Sequence, residues 1–108
     1  MITIVSCSHY PDDERIYHKE IKSLTENNYK INYFTRSDTE SNLSNDKINH
    51  FNYRKSEYSI KNYIKSIELK LIDIPTKVIH IHEPELFSLA TNIKKIFGAK
   101  IIYDVHED

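Results

Sequence analysis

The chain has 108 residues, room for one small domain and not two. Fifteen basic residues against sixteen acidic ones leave a formal charge of -1, which removes the electrostatic case for a nucleic-acid partner. A single cysteine, Cys7, excludes an internal disulfide, and its apolar surroundings in sequence favour a buried reduced thiol over a nucleophile. No stretch approaches the roughly 18 apolar residues of a membrane span. The opening segment Met1–Cys7 lacks the basic start and the length of a signal peptide. The chain therefore reads as cytoplasmic, which leaves open a membrane-associated substrate and a peripheral place on the inner face of the membrane.

Ile2, Ile4 and Val5 form a short apolar run, the first strand, which ends in a polar turn through Pro11, Asp12 and Asp13. Ile16, Tyr17, Glu20, Ile21 and Leu24 recur at helical spacing. Asp12 or Asp13 is placed to accept the free amides of that helix's first turn, and Glu14 suits its positive end. Asn27 and Asn28 close the helix, because Asn tolerates left-handed backbone. A second strand is predicted at Lys30–Phe34, and the polar run from Arg36 to Lys47 reads as a long exposed loop.

Ile48–Tyr53 is the third strand. Ile60, Tyr63, Ile64, Ile67 and Leu71 mark a helix that Pro75 ends, and Lys77–Ile81 is the fourth strand. Pro84 suits the first turn of a last helix with Leu86, Leu89, Ala90, Ile93 and Ile96 as its buried stripe and Gly98 as its stop. Lys100–Val105 is the fifth strand, apolar enough to be covered on both faces. The sum is an α/β fold: an open, mostly parallel sheet with helices on both faces, Rossmann-like, in strand order 3-2-1-4-5. The chain stops at Asp108, directly after the fifth strand. The expectation is the front part of a longer protein, with an apolar patch beside that strand that invites self-association or a missing carboxy-terminal domain.

Ligands of open α/β sheets sit beyond the carboxyl ends of the strands, where strand order reverses. Three polar clusters follow strand ends here: Ser8 to Arg15 after the first strand, His82 to Glu85 after the fourth, and His106 to Asp108 after the fifth. They nominate His9, Asp12, Asp13, Arg15, His82, Glu83, Glu85, His106 and Glu107 as site residues. Arg15 is placed to pair with Glu83 or Glu85, or to clamp an anionic group. His80, inside the fourth strand on the side of His82, reads as a satisfied core histidine. Asp104, a carboxylate in an apolar run, reads first as structural and in need of partners. His, Asp and Glu are all ligand types that leave room for a zinc or other divalent ion, but with no HExxH and no cysteine pair the signal is unspecific and no metal is expected. The one glycine, Gly98, leaves neither GxGxxG nor a Walker loop, which disfavours a nucleotide on this domain and predicts no cofactor.

These clusters carry a resemblance. Residues 8–20, from Ser8–His9–Tyr10–Pro11 to Glu20, followed by Ser23–Leu24, resemble the amino-terminal motif of a bacterial branch of retaining glycosyltransferases with the GT-B fold. Ile79–His80–Ile81–His82–Glu83–Pro84–Glu85–Leu86 is similar to that branch's HxHDPEL element, with Glu83 where Asp is usual. Ile102–Tyr103–Asp104–Val105–His106–Glu107–Asp108 resembles its YDxHE element. The motifs keep the family's order, and residues 36–72 carry none.

The resemblance implies an acceptor-side domain whose donor, a nucleotide-sugar, is a substrate held by a second domain. It implies transfer to a glycan or lipid-linked acceptor in polysaccharide biosynthesis, and no useful turnover by these residues alone. It casts His106 as the group facing the reacting sugar, with His9, Asp12, Asp13 and Arg15 in the acceptor loop. His82, Glu83 and Glu85 would line and support the cleft. The competing reading is a nonenzymatic relic or stand-alone binding module. A response-regulator or flavodoxin-like domain shares the element order, but neither its phosphoacceptor Asp nor its flavin-phosphate loop is convincingly placed.

Overall fold

A computed structural model of the chain describes residues 1–8 and 10–104, and only the backbone of Glu14. Five strands form one sheet: β1 (Ile2–Val5), β2 (Ile31–Arg36), β3 (Ile48–Tyr53), β4 (Val78–Ile81) and β5 (Lys100–Tyr103). Their order is β3-β2-β1-β4-β5, and every neighbouring pair is parallel. The order reverses between β1 and β4, as the sequence predicts. This is a Rossmann-like doubly wound topology. Among the described residues no helix is long and apolar enough to cross a membrane.

Alternation along each strand assigns the two faces. Val5, Phe34, Ile79 and Ile81 point to one side, where they pack with Tyr63, Ile67 and Leu71 of helix α2 (Ile60–Asp73). Leu89, Ala90 and Ile93 of helix α3 (Phe87–Phe97) complete that core. Ile4, Ile31, Tyr33 and Ile48 point to the other side, against Ile16 and Ile21 of the first helix. Ser59 caps α2 through the Asn62 amide, and a 3-10 turn, Pro84–Leu86, leads into α3. Gly98 ends α3 at φ 68°, and Asn28 follows the first helix at φ 68°, the left-handed positions that glycine and asparagine fill most readily.

Three expectations need correction. The first helix opens as a π-helix over Glu14–Ile21 before continuing as helix α1 (Lys22–Glu26). Its wider turn lets Ile16 and Ile21, five residues apart, both be fully buried. Ile96 does not belong to the stripe of α3: it is 61% exposed, and Phe97, four residues after Ile93, packs on the core in its place. Among the described residues, β5 is not covered on both faces. Ile101 and Tyr103 meet the core under α3, whereas Ile102 points to the first-helix side and is 42% exposed.

That exposure has a structural cause. The first helix lies over β1 and β2, leaving the β4–β5 half of its face open as a groove of about 780 Å³. Ile2, Leu24, Val78, His80 and Ile102 are among its walls.

Candidate functional site

The chain after β1 is held from several directions. Glu83, buried just past β4, accepts the Ser6 hydroxyl at 2.8 Å and the Cys7 amide on both carboxylate oxygens, at 3.1 and 2.9 Å. From below, the Tyr63 hydroxyl donates to the Ser6 carbonyl at 2.7 Å and the Tyr33 hydroxyl to the Pro11 carbonyl at 2.8 Å. Burial raises the pKa of both phenols, which keeps them protonated donors. Arg36 reaches the Cys7 carbonyl at 3.4 Å. Cys7 is a buried thiol, as expected. Burial first and the Glu83 charge second push its pKa up to about 12, which suppresses the thiolate a nucleophile needs.

Asp13 rather than Asp12 caps the first helix, accepting the amides of Arg15 at 2.9 Å and Ile16 at 3.0 Å. Asp12 is exposed. Arg15 pairs with neither Glu83 nor Glu85. The helix carries it toward the end of β5, where its guanidinium donates to Asp104 at 2.8 Å. Glu85 is exposed and accepts a long contact from the Cys7 sulfur at 3.7 Å. His9, His106 and Glu107 lie outside the described residues. Close by, Ser8, Tyr10, Ser37, Asp38, Thr39 and Lys55 line a polar groove of about 320 Å³ at the same edge of the sheet.

A second set of polar groups converges one layer deeper, on the first-helix face. His80 and His82, two residues apart, stack with ring centroids 4.5 Å apart. The amide of Asp104 donates to the Ile81 carbonyl at 3.1 Å, which extends the β4–β5 pairing and sets Asp104 beside His82. Glu20 reaches over from the π-helical turn: its Oε2 lies 3.4 Å from His82 Nε2 and 3.8 Å from His80 Nδ1. Asp104 Oδ2 lies 4.0 Å from His82 Nδ1. One donor atom from each of the four side chains falls within 4.8 Å of the other three. The His82 side chain is fully buried, and Glu20 and Asp104 are about one-fifth exposed.

Burial, and then the hydrogen bond and charge of Asp104, push the Glu20 pKa up to about 8. Two carboxylates here crowd one another, and only one of them readily stays charged.

The sequence nominated His82 but treated His80 as core and Asp104 as structural, and it passed over Glu20 as a site residue. The His80 side chain is largely buried, stacked on His82, and faces Glu20 at one wall of the groove. One signal was present. Glu20 stands among Ile16, Tyr17, Ile21 and Leu24 on the apolar side of its helix, where an acid needs partners. Compared with protein-family models, with curated proteins and with solved structures, the chain has no match in any of the three.

Proposed function

We propose that this domain is the acceptor-side part of a glycosyltransferase that moves a sugar from a nucleotide-sugar to a glycan or lipid-linked acceptor in polysaccharide assembly. The observation that carries this reading is the interlocking of three distant motif segments at the β1–β4 switch point. Glu83 binds Ser6 and Cys7, Arg15 binds Asp104, and Glu20 meets His82. Arg15, Glu20, His82, Glu83 and Asp104 lie in the segments that resemble the glycosyltransferase motifs, and Ser6 and Cys7 directly precede the first of them. A doubly wound domain places its ligands at that edge.

In this reading the clamped loop after β1 presents Asp12 and Arg15 to acceptor hydroxyls, with Glu85 on the facing loop. Glu83 fixes the loop rather than touching the acceptor. The donor nucleotide belongs to a further α/β domain, because no glycine-rich turn here can approach a pyrophosphate. His106 donates a hydrogen bond to the donor sugar and offsets charge as the bond to the nucleotide breaks.

The test is His106→Ala in the full-length protein, with turnover and melting temperature measured together. Turnover is expected to fall by roughly 100-fold or more, as for loss of a transition-state donor, with the melting temperature nearly unchanged. Turnover within a few-fold of the parent, or a loss explained by unfolding, removes His106 from the chemistry.

A further inference from the structure

We propose that Glu20, His80, His82 and Asp104 form a binding site for one divalent transition metal ion of the zinc type. The site ties the first helix to the exposed edge of the sheet.

The argument starts from distances. Zinc binds imidazole nitrogen and carboxylate oxygen at about 2.0–2.2 Å in a tetrahedron, so its donor atoms stand about 3.3–3.5 Å from one another. Glu20 and His82 already present donors 3.4 Å apart, and Glu20 and His80 present them 3.8 Å apart. All four donors lie within 4.8 Å, so rotamer adjustments of about an ångström complete the shell.

The donors also have the chemistry and the mounting that such a site requires. Two imidazoles with two carboxylates suit zinc and its neighbours, whereas magnesium and calcium favour all-oxygen shells. The two carboxylates offset the charge of a divalent cation, with Arg15 remaining on the other oxygen of Asp104. His80 and His82 sit on one side of β4 by the period of two, and Asp104 is locked beside them by its amide bond to Ile81. Only Glu20 comes from a separate layer, so the metal joins the helix to the sheet. His80 and Glu20 also line the 780 Å³ groove, which supplies an entry path for the ion.

The site shares the Glu20–His82 contact with the sugar-transfer reading, but its test needs no enzymatic activity. The protein, stripped with chelator, is titrated with Zn²⁺ and separately with Co²⁺, followed by calorimetry, visible absorption and melting temperature. One equivalent is expected to bind and raise the melting temperature, with Co²⁺ giving the intense visible bands of a four-coordinate ion. Mg²⁺ does neither. His80→Ala and Glu20→Gln are expected to weaken Zn²⁺ by more than the 10–100-fold that loss of an outer-shell partner costs. His18→Ala, an exposed histidine outside the cluster, leaves affinity unchanged. Should either cluster variant fold poorly, the wild-type Co²⁺ spectrum decides. Absence of stoichiometric binding, a six-coordinate Co²⁺ spectrum, or affinity that survives both cluster variants overturns the site.

Discussion

The two faces of the sheet are built on different terms. Under α2 and α3, among the described residues, thirteen fully or nearly fully buried side chains make one continuous core, with the polar Thr3 and Asn32 buried on the same face of the sheet. On the other face, among the described residues, six buried apolar side chains pack with the first helix, and beside them lies a polar cluster next to an open apolar groove. The first face is closed by dispersion and the removal of apolar surface from water, which need no particular partner. The second surrenders part of that gain to hold imidazoles and carboxylates in fixed relation. Regions that bury ionisable groups in this way are where function concentrates.

The largest effect should come from the closed face. Leu71 is fully buried in the core under α2, and Leu71→Ala is expected to cost about 2–5 kcal/mol, read by urea denaturation. A cost below about 1 kcal/mol would mean that this core is loosely packed, and the contrast between the faces would fail.

A pH-dependent effect should come from the far edge of the first-helix face. His50 accepts the Leu43 amide on Nδ1 at 3.0 Å, leaving Nε2 to donate to Thr35 Oγ1 at 2.8 Å, and Thr35 donates on to Asn52 at 2.7 Å. The chain of bonds requires a neutral ring, and burial pushes the His50 pKa down to about 4 from 6.5. Between those two values the unfolded chain holds a proton that the folded one does not. The stability contributed by neutral His50 is therefore whole above pH 6.5 and drains away as pH falls towards 4. Thermal melts across that window should show a steeper acid decline for the parent than for His50→Gln. Parallel slopes would show that the ring protonates freely in the fold.

The smallest effect belongs to the groove. Ile102→Ser alters a side chain that is 42% exposed on the open half-face, and its cost to the isolated domain should stay within about 0.5 kcal/mol. A larger loss by the same urea measurement would show that the groove is closed in solution, and the two faces would then be more alike than the structure makes them.

Much of this contrast was readable in advance, and the misses have a common cause. The short apolar run of β1 and the helical spacing of Tyr63, Ile67 and Leu71 assigned strands and helices in advance. Ile96 was misplaced because 93 to 96 and 93 to 97 are both helical spacings, and only the packing of Phe97 chooses between them. Arg15 was given partners on the β4 loop because that loop is acidic. The wide turn of the π-helix carries its side chain to Asp104, across 89 residues of sequence.

The sequence by itself determined the element order, the parallel sheet with its reversal beside β1, a cap at Asp12 or Asp13, the stops at Asn28 and Gly98, and a buried thiol at Cys7. Those follow from local stereochemistry and hydrophobic period, which each segment carries within itself. Tertiary structure alone decided that Glu20, His80, His82 and Asp104 meet. It also decided that the first helix leaves half of its face open. Periodicity tells a side chain which way to point, and nothing in it says which residue from another layer will be waiting there. That depends on where a helix crosses the sheet, which packing of the whole domain sets.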